Sequence, residues 1–301
     1  KGVIIAEINM YEDTPSRHVQ DLLMELLYGD TPAGWNIAGE KKNILNMKRD
    51  DFVKYKKEHY VPKATVIVVA GSVKESEVMQ EVKRVFGSIP NHKKIAKVSV
   101  SEKQSKPQAL VKFKQTDQTH FVLGLRSYDF FDKCSATLSV LSAILGGGMS
   151  SRLFQKLREE MGVGYYVRAY NDSYTDHGVF QISAGVDNKR IYEVLQAVLS
   201  ECSKLRDEVV NKEELEKVKE YLIGNMKLSL ESTDDIANFY GGQELLKKEI
   251  KDIEEKARII RKVSGKDIQN VAREIFVNNK LNLALIGPFK EKKSFLNILK
   301  F

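Results

Sequence analysis

With 301 residues, 48 Lys and Arg against 41 Asp and Glu, and a formal net charge of +7, the chain is long enough for two domains that each bury a core. The lysine excess is scattered over solvated faces, without a run of five or six like charges or a basic patch with interleaved aromatics, which argues against a nucleic-acid partner. Cys134 and Cys202 each stand alone in an apolar helical pattern, which excludes a cysteine metal motif and suits buried thiols in a reducing interior such as the cytoplasm, and no apolar run approaches the roughly eighteen residues of a membrane helix.

The chain opens at Lys1 inside a periodic apolar pattern with neither an initiating methionine nor a cap, which reads as a truncated beginning. Val3, Ile4, Ile8 and Tyr11 mark a helical stripe, although residues 3 to 8 alone also fit a buried strand. Glu7 lies inside that stripe. After Asp13-Thr14-Pro15, Val19 to Leu27 repeats the helical period, and Tyr28 to Gly39 is loop. Asp50 and Asp51 open a helix that Pro62 closes, and Thr65 to Ala70 is a β-branched run that predicts a buried strand ending at Gly71. Glu75 to Phe86 is an amphipathic helix. Asn91 to Pro107, polar and without period, reads as a linker between domains.

Beyond the linker, Ala109 to Lys114 and Phe121 to Ser127 predict strands. Then comes the most informative stretch, an apolar helix ending at Leu145, the loop Gly146-Gly147-Gly148, and a helix from Ser150 to Glu160. Ser150 and Ser151 can cap that second helix, whose Leu153, Phe154, Leu157 and Met161 form one face. The loop lacks a following Gly-Lys-Ser/Thr, so it reads as a tight turn and not a phosphate cradle. After Gly162 and Gly164 the residues alternate, Tyr165, Val167 and Ala169 on one face and Tyr166, Arg168 and Tyr170 on the other. Val179 to Ala184 is the return strand of a hairpin. Helices follow at 191 to 205, 212 to 230, 234 to 249, 253 to 263 and 266 to 276, then a strand from Leu281 to Ile286 closed by Gly287-Pro288.

An internal repeat runs through these elements. Asp51 to Gly71 aligns without a gap on Asp267 to Gly287 at a constant offset of 216, with Phe52 facing Ile268, Tyr60 facing Phe276 and Ile67 facing Leu283. The first copy is then incomplete, its missing part, about a hundred residues, expected ahead of Lys1. The same offset sets Glu7 opposite the apolar Ile223. A carboxylate among apolar positions is costly unless a cation, a donor or a metal compensates it. Spacing alone favours a partly exposed or arginine-paired glutamate over a metal ligand.

Two groups of residues resemble one family. Val3-Ile4-Ile5-Ala6-Glu7-Ile8-Asn9-Met10 with Glu12-Asp13-Thr14-Pro15, then Tyr28-Gly29-Asp30-Thr31-Pro32 to Gly39, resembles the later half of the catalytic domain of the pitrilysin/insulinase zinc peptidases. Leu145 to Phe154, with Leu157-Arg158-Glu159-Glu160 and Gly164-Tyr165, is similar to that family's second, non-zinc domain, of the mitochondrial-processing-peptidase-like type. The resemblance implies zinc held by two histidines of an H-x-x-E-H motif and by a glutamate on a later helix, and that later glutamate matches Glu7. It also implies that Arg158 and Tyr165 bind the substrate backbone and steady developing negative charge. Read without the family, Arg158 pairs with carbonyls at its own helix end and Tyr165 is a strand aromatic. The departure is the motif itself. His18, His59, His92, His120 and His177 are scattered and none completes H-x-x-E-H, which the repeat places roughly 65 to 90 residues before Glu7.

The expected protein is therefore α+β, two repeated domains that each pack a mostly antiparallel sheet with helices. Residues 1–100 would be the later part of the zinc-bearing domain and residues 101–301 the substrate-binding domain. The resemblance implies an endopeptidase for unfolded peptides or presequences, needing Zn2+, paired as a homodimer or with another subunit of the fold into a closed chamber. Neither nucleic acid nor membrane is an expected partner. The rival is an inactive partner subunit of the same fold that holds peptides, and an unrelated two-domain α+β scaffold would require the glycine-loop motif to be coincidence.

Overall fold

A computed structural model describes residues 1–93, 95–246 and 249–301. In chain order the elements are α1 (Gly2–Asp13), α2 (Pro15–Tyr28), α3 (Lys41–Asn46), α4 (Arg49–His59), α5 (Glu75–Phe86), β1 (Gln108–Phe113), β2 (Gln118–Ser127), α6 (Ser135–Gly146) and α7 (Arg152–Phe154). They continue through β3 (Gly164–Ser173), β4 (Gly178–Asp187), α8 (Ile191–Asp207), α9 (Lys212–Leu228), α10 (Thr233–Leu246), α11 (Ile253–Lys262), α12 (Gly265–Ile275), β5 (Leu281–Gly287) and α13 (Lys293–Ile298). The chain divides into two compact units, one of Lys1–Leu45, Ser99–Glu220 and Ile259–Phe301, the other of Asn46–Val98 and Tyr221–Arg258. The expected α+β class is the observed one. The predicted helix to Glu249 is seen as far as Leu246; positions 247 and 248 lie outside the described residues, as does position 94 of the predicted linker.

The first unit is built on a five-stranded sheet in the order β1-β5-β2-β4-β3, in which only β1 and β5 run parallel. Strand alternation sends its side chains to two different covers. On one face α2 brings Val19, Leu22, Leu23 and Leu27 against Val122, Val179, Ala284 and Ile286. On the other, Phe121, Leu123, Phe180 and Ile182 are fully buried, and Phe180 meets Phe276, just beyond α12, edge to face at 5.5 Å. The later part of the linker is fastened to this unit. Arg126 Nη1 donates to Glu102 at 3.0 Å, Val100 N to Asp176 at 3.1 Å, and Gln104 Nε2 to the Leu281 carbonyl at 3.1 Å.

Helix α12 starts on a reciprocal cap: Asp267 N donates to Ser264 Oγ at 3.1 Å, and Ser264 N donates to Asp267 Oδ2 at 2.9 Å. Those bonds hold the Asp267 carboxyl below the usual range, the Ser264 side chain being the largest cause. Ser264→Ala is expected to lower the stability of the first unit by about 1 kcal/mol, read as a shifted urea midpoint with unchanged slope.

The repeat is visible in the backbone. The cap that opens α12 has a counterpart 216 residues earlier, where Lys48 N donates to Asp51 Oδ2 at 2.7 Å ahead of α4, and the 3-10 turn Asn278–Lys280 is matched by Pro62–Ala64. One expectation fails here. The run Thr65 to Ala70 has the strand composition but no ladder partner among the described residues, and Val66 to Val69 are 38 to 49% exposed. Its counterpart β5 is buried because β1 and β2 pair with it on both sides. β-branched content favours a pleated surface, and a strand exists only once a neighbour accepts its hydrogen bonds. Cys202 is buried in α8 as expected, whereas Cys134 is half-buried at the start of α6, because the apolar run that suggested burial begins only after it.

Candidate functional site

The glycine-loop motif folds by close packing. Gly146 ends α6 against β3 so tightly that a Cβ would stand 2.2 Å from Ala169 N, which no other residue permits. Ser151 then stands at the N-cap of the next helix, but its hydroxyl donates back to the Gly148 carbonyl at 2.6 Å, so it closes the turn and leaves the helix amides without a side-chain cap. The helix expected from Ser150 to Glu160 is α-helical only over Arg152–Phe154 and then widens to a π-turn over Gln155–Glu160, with Met161 N bonded to the Lys156 carbonyl at 3.1 Å. Such one-turn insertions re-aim the side chains that follow. Leu153 and Leu157 are fully buried beneath it, and Arg152 clamps it to α9 through two bonds to Glu214 at 2.8 and 2.7 Å.

Arg158 stands exposed on the π-turn, its guanidinium 5.6 Å from the Phe154 ring centre, and Nη1 donates to the Tyr165 carbonyl at 3.1 Å. Tyr165 departs from the expected alternation. Gly164 pairs with Val186 and Tyr166 with Gly185, so Tyr165 is the extra residue of a β-bulge. Val167 and Ala169 face the core while the Tyr165 side chain, 60% exposed, turns outward. The Arg158 side chain is thus bonded to the Tyr165 backbone, and both side chains are exposed; a guanidinium and a phenol are each able to donate to an oxygen bearing negative charge.

Glu7 is carried by a different element from that pair. It is exposed on α1, whose one buried residue is Ile8, and it forms no hydrogen bond or ion pair with Arg158 or Tyr165. Tyr11 Oη donates to Glu7 Oε1 at 3.5 Å, at the limit of a hydrogen bond, and the Arg17 guanidinium lies 5.4 Å from the Tyr11 ring centre. The counterpart Ile223 is 2% exposed, so the carboxylate occupies the water-facing version of a position buried in the other copy. Among the described residues no three His, Cys, Asp or Glu stand close enough to hold a metal. Glu7 is available as one ligand, and the described residues do not form a zinc site by themselves. No helix among them is long and apolar enough to cross a membrane.

Sequence reading missed the Arg152–Glu214 clamp, which spans 62 positions, and a polar knot in which Arg126 lies over the Tyr28 ring at 5.0 Å while His177 stacks on Tyr174 at 4.4 Å. Neither leaves a periodic signal, although an arginine in an otherwise apolar strand pattern is the cue for the second.

The structure thus presents a helix-packed, mostly antiparallel sheet with the Arg158 side chain bonded to the Tyr165 backbone behind a glycine turn. Residues 46–222 match the family described as Peptidase M16 inactive domain, and the chain is 33% identical over 288 residues to the uncharacterized zinc protease YmxG of Bacillus subtilis, covering 96% of this chain and 69% of that protein. An uncharacterized zinc protease of Streptomyces coelicolor is 28% identical over 300 residues, covering 98% of this chain and 65% of its own length. The chain belongs to the peptidase M16 family, the pitrilysin-like zinc peptidases, and spans about two thirds of the length of these relatives. Its fold is similar to a crystal structure of a protease from Helicobacter pylori (TM-score 0.87, 22% identity, 95% of this chain and 70% of that one). It is equally similar to a chain of Complex III2 from Candida albicans (TM-score 0.87, 15% identity, 100% and 74%).

Proposed function

We propose that the complete protein is a zinc endopeptidase acting on unfolded peptides, with residues 1–100 belonging to its metal-bearing domain and residues 101–301 forming its substrate-binding domain. The observation that carries this reading is the Arg158–Tyr165 pair, held by a 3.1 Å bond and exposed on a bulge and a π-turn, in a chain whose relatives are named zinc proteases. Glu7 would supply one carboxylate ligand, and two histidines and a base would have to be supplied by other residues, since none of the five histidines here completes an H-x-x-E-H motif. Zinc, when bound, activates water and polarises the scissile carbonyl. Arg158 and Tyr165 bind the substrate backbone and donate to the oxygen that becomes anionic, and the Arg152–Glu214 clamp holds the turn that presents them. Two subunits of the fold, alike or different, close the chamber.

The test is a zinc titration of the complete polypeptide with hydrolysis of an unstructured fluorogenic peptide. One zinc per chain and chelator-sensitive cleavage are expected, with neither in the 301-residue chain alone. Absence of stoichiometric metal from the complete protein would overturn the peptidase reading in favour of a peptide-holding subunit.

A further inference from the structure

Between Arg158 and Tyr165 the chain leaves the π-turn at Glu160 and enters β3 at Gly164, so a short exit segment sets where the guanidinium stands relative to Tyr165. Gly162 in that segment has φ +64°, the left-handed conformation on which helices commonly end. Val163, which is buried, then donates its N–H back to the Leu157 carbonyl at 2.9 Å. The Met161 carbonyl stands at the end of the turn, where acceptors lack a partner within their own helix. Arg190, 29 positions later, fills that gap: its Nη1 donates to the Met161 carbonyl at 2.8 Å.

Arg190 is a fixed point from which to hold the segment. It is the residue ahead of α8, whose Ile191, Val194, Leu195 and Val198 are fully buried, so its backbone is carried by the core. Glu193, in the first turn of α8, accepts from Nε and Nη2 at 2.8 Å each, which orients the guanidinium plane and leaves Nη1 for the turn. Arg152, through its clamp to Glu214, holds the entrance of the same turn, and Arg190 holds its exit.

We propose that Arg190, oriented by Glu193, is a positioning residue for Arg158 and Tyr165: by fixing the Met161 carbonyl it sets the separation and direction in which their side chains meet a substrate oxygen. This role rests on the reading that those two side chains contact substrate. Arg190 itself touches a backbone carbonyl and no reacting atom. Its guanidinium serves Glu193 and Met161 together because it is a planar fork, whereas a lysine is a point charge without a fixed plane. Misplacing a group by about 1 Å can cost about 100-fold in rate, so partial release of the exit segment should cost about tenfold.

The test is a double-mutant cycle in the complete zinc-loaded protein, read by hydrolysis of the unstructured fluorogenic peptide. Arg190→Ala is expected to lower kcat about tenfold with KM changed less than about twofold, and Arg190→Lys to recover part of the loss. On an Arg158→Ala background the same change is expected to cost less than about twofold, because the group it positions is gone. Independently of cleavage, amide exchange at Val163 should rise about tenfold in Arg190→Ala while the α8 amides keep their protection. Unchanged exchange at Val163, or a kinetic loss as large without Arg158 as with it, would overturn the assignment. If the zinc titration decides against cleavage, the same cycle is read on affinity for the uncleaved peptide with the same outcomes for and against, so failure of the peptidase reading and failure of this role are told apart.

Discussion

In the complete zinc-loaded protein, Glu7→Gln is expected to lower zinc affinity and peptide hydrolysis together by at least about 100-fold. Glutamine keeps the shape of the side chain and removes its charge, so the metal would keep its histidines and lose its anionic ligand. Changes to groups that merely support a ligand cost about 10- to 100-fold, and a ligand itself should cost no less. The fold is not at stake, because Glu7 is exposed and its side chain accepts, among the described residues, only the 3.5 Å hydrogen bond of Tyr11, so stability should move by less than about 0.5 kcal/mol. Competition with a chromophoric chelator measures the affinity, and the unfolding midpoint is the control. Unchanged zinc binding with intact hydrolysis would return Glu7 to the status of a surface carboxylate.

Arg158→Ala is expected to reduce kcat/KM by about 10²- to 10³-fold, the loss usual for one donor aimed at a developing oxyanion. The variant also frees the Tyr165 carbonyl from its 3.1 Å bond, so the bulge that presents Tyr165 loses a brace. Tyr165→Phe should act in the same direction with a smaller effect, and Arg158→Lys should recover part of the loss, since a point charge replaces a planar fork. Steady-state kinetics separate the roles. Equal losses in kcat and kcat/KM mean that the contact is made in the transition state, whereas a rise in KM alone means ground-state binding of the peptide backbone.

Most of the fold could be read from the residues because it is local and periodic. The stripes of α2, α8 and α12 and the return strand β4 are each contained within one element, and the 216-residue offset reappears as matched 3-10 turns. What could not be read depends on a second element. Thr65 to Ala70 has the composition of β5 but not its neighbours. Tyr165 obeys the alternation until pairing with β4 inserts a bulge. The π-turn under Arg158 keeps a helical apolar pattern, since Leu153 and Leu157 are buried whether the turn holds 3.6 residues or more. The candidate pair was nameable from the motif, while the bond joining Arg158 to Tyr165 required the bulge to bring the carbonyl to the guanidinium.

Val66-Ile67-Val68-Val69-Ala70 contains no charge and no proline, the composition from which stacked intermolecular fibrils start when such a segment is open to solvent. A net charge of +7 spread over distant lysines repels other molecules at long range but places no gatekeeper within these five positions. In the 301-residue chain this short hydrophobic stretch is thus the expected starting point of self-association, and a single lysine at position 67 or 69 is expected to raise solubility.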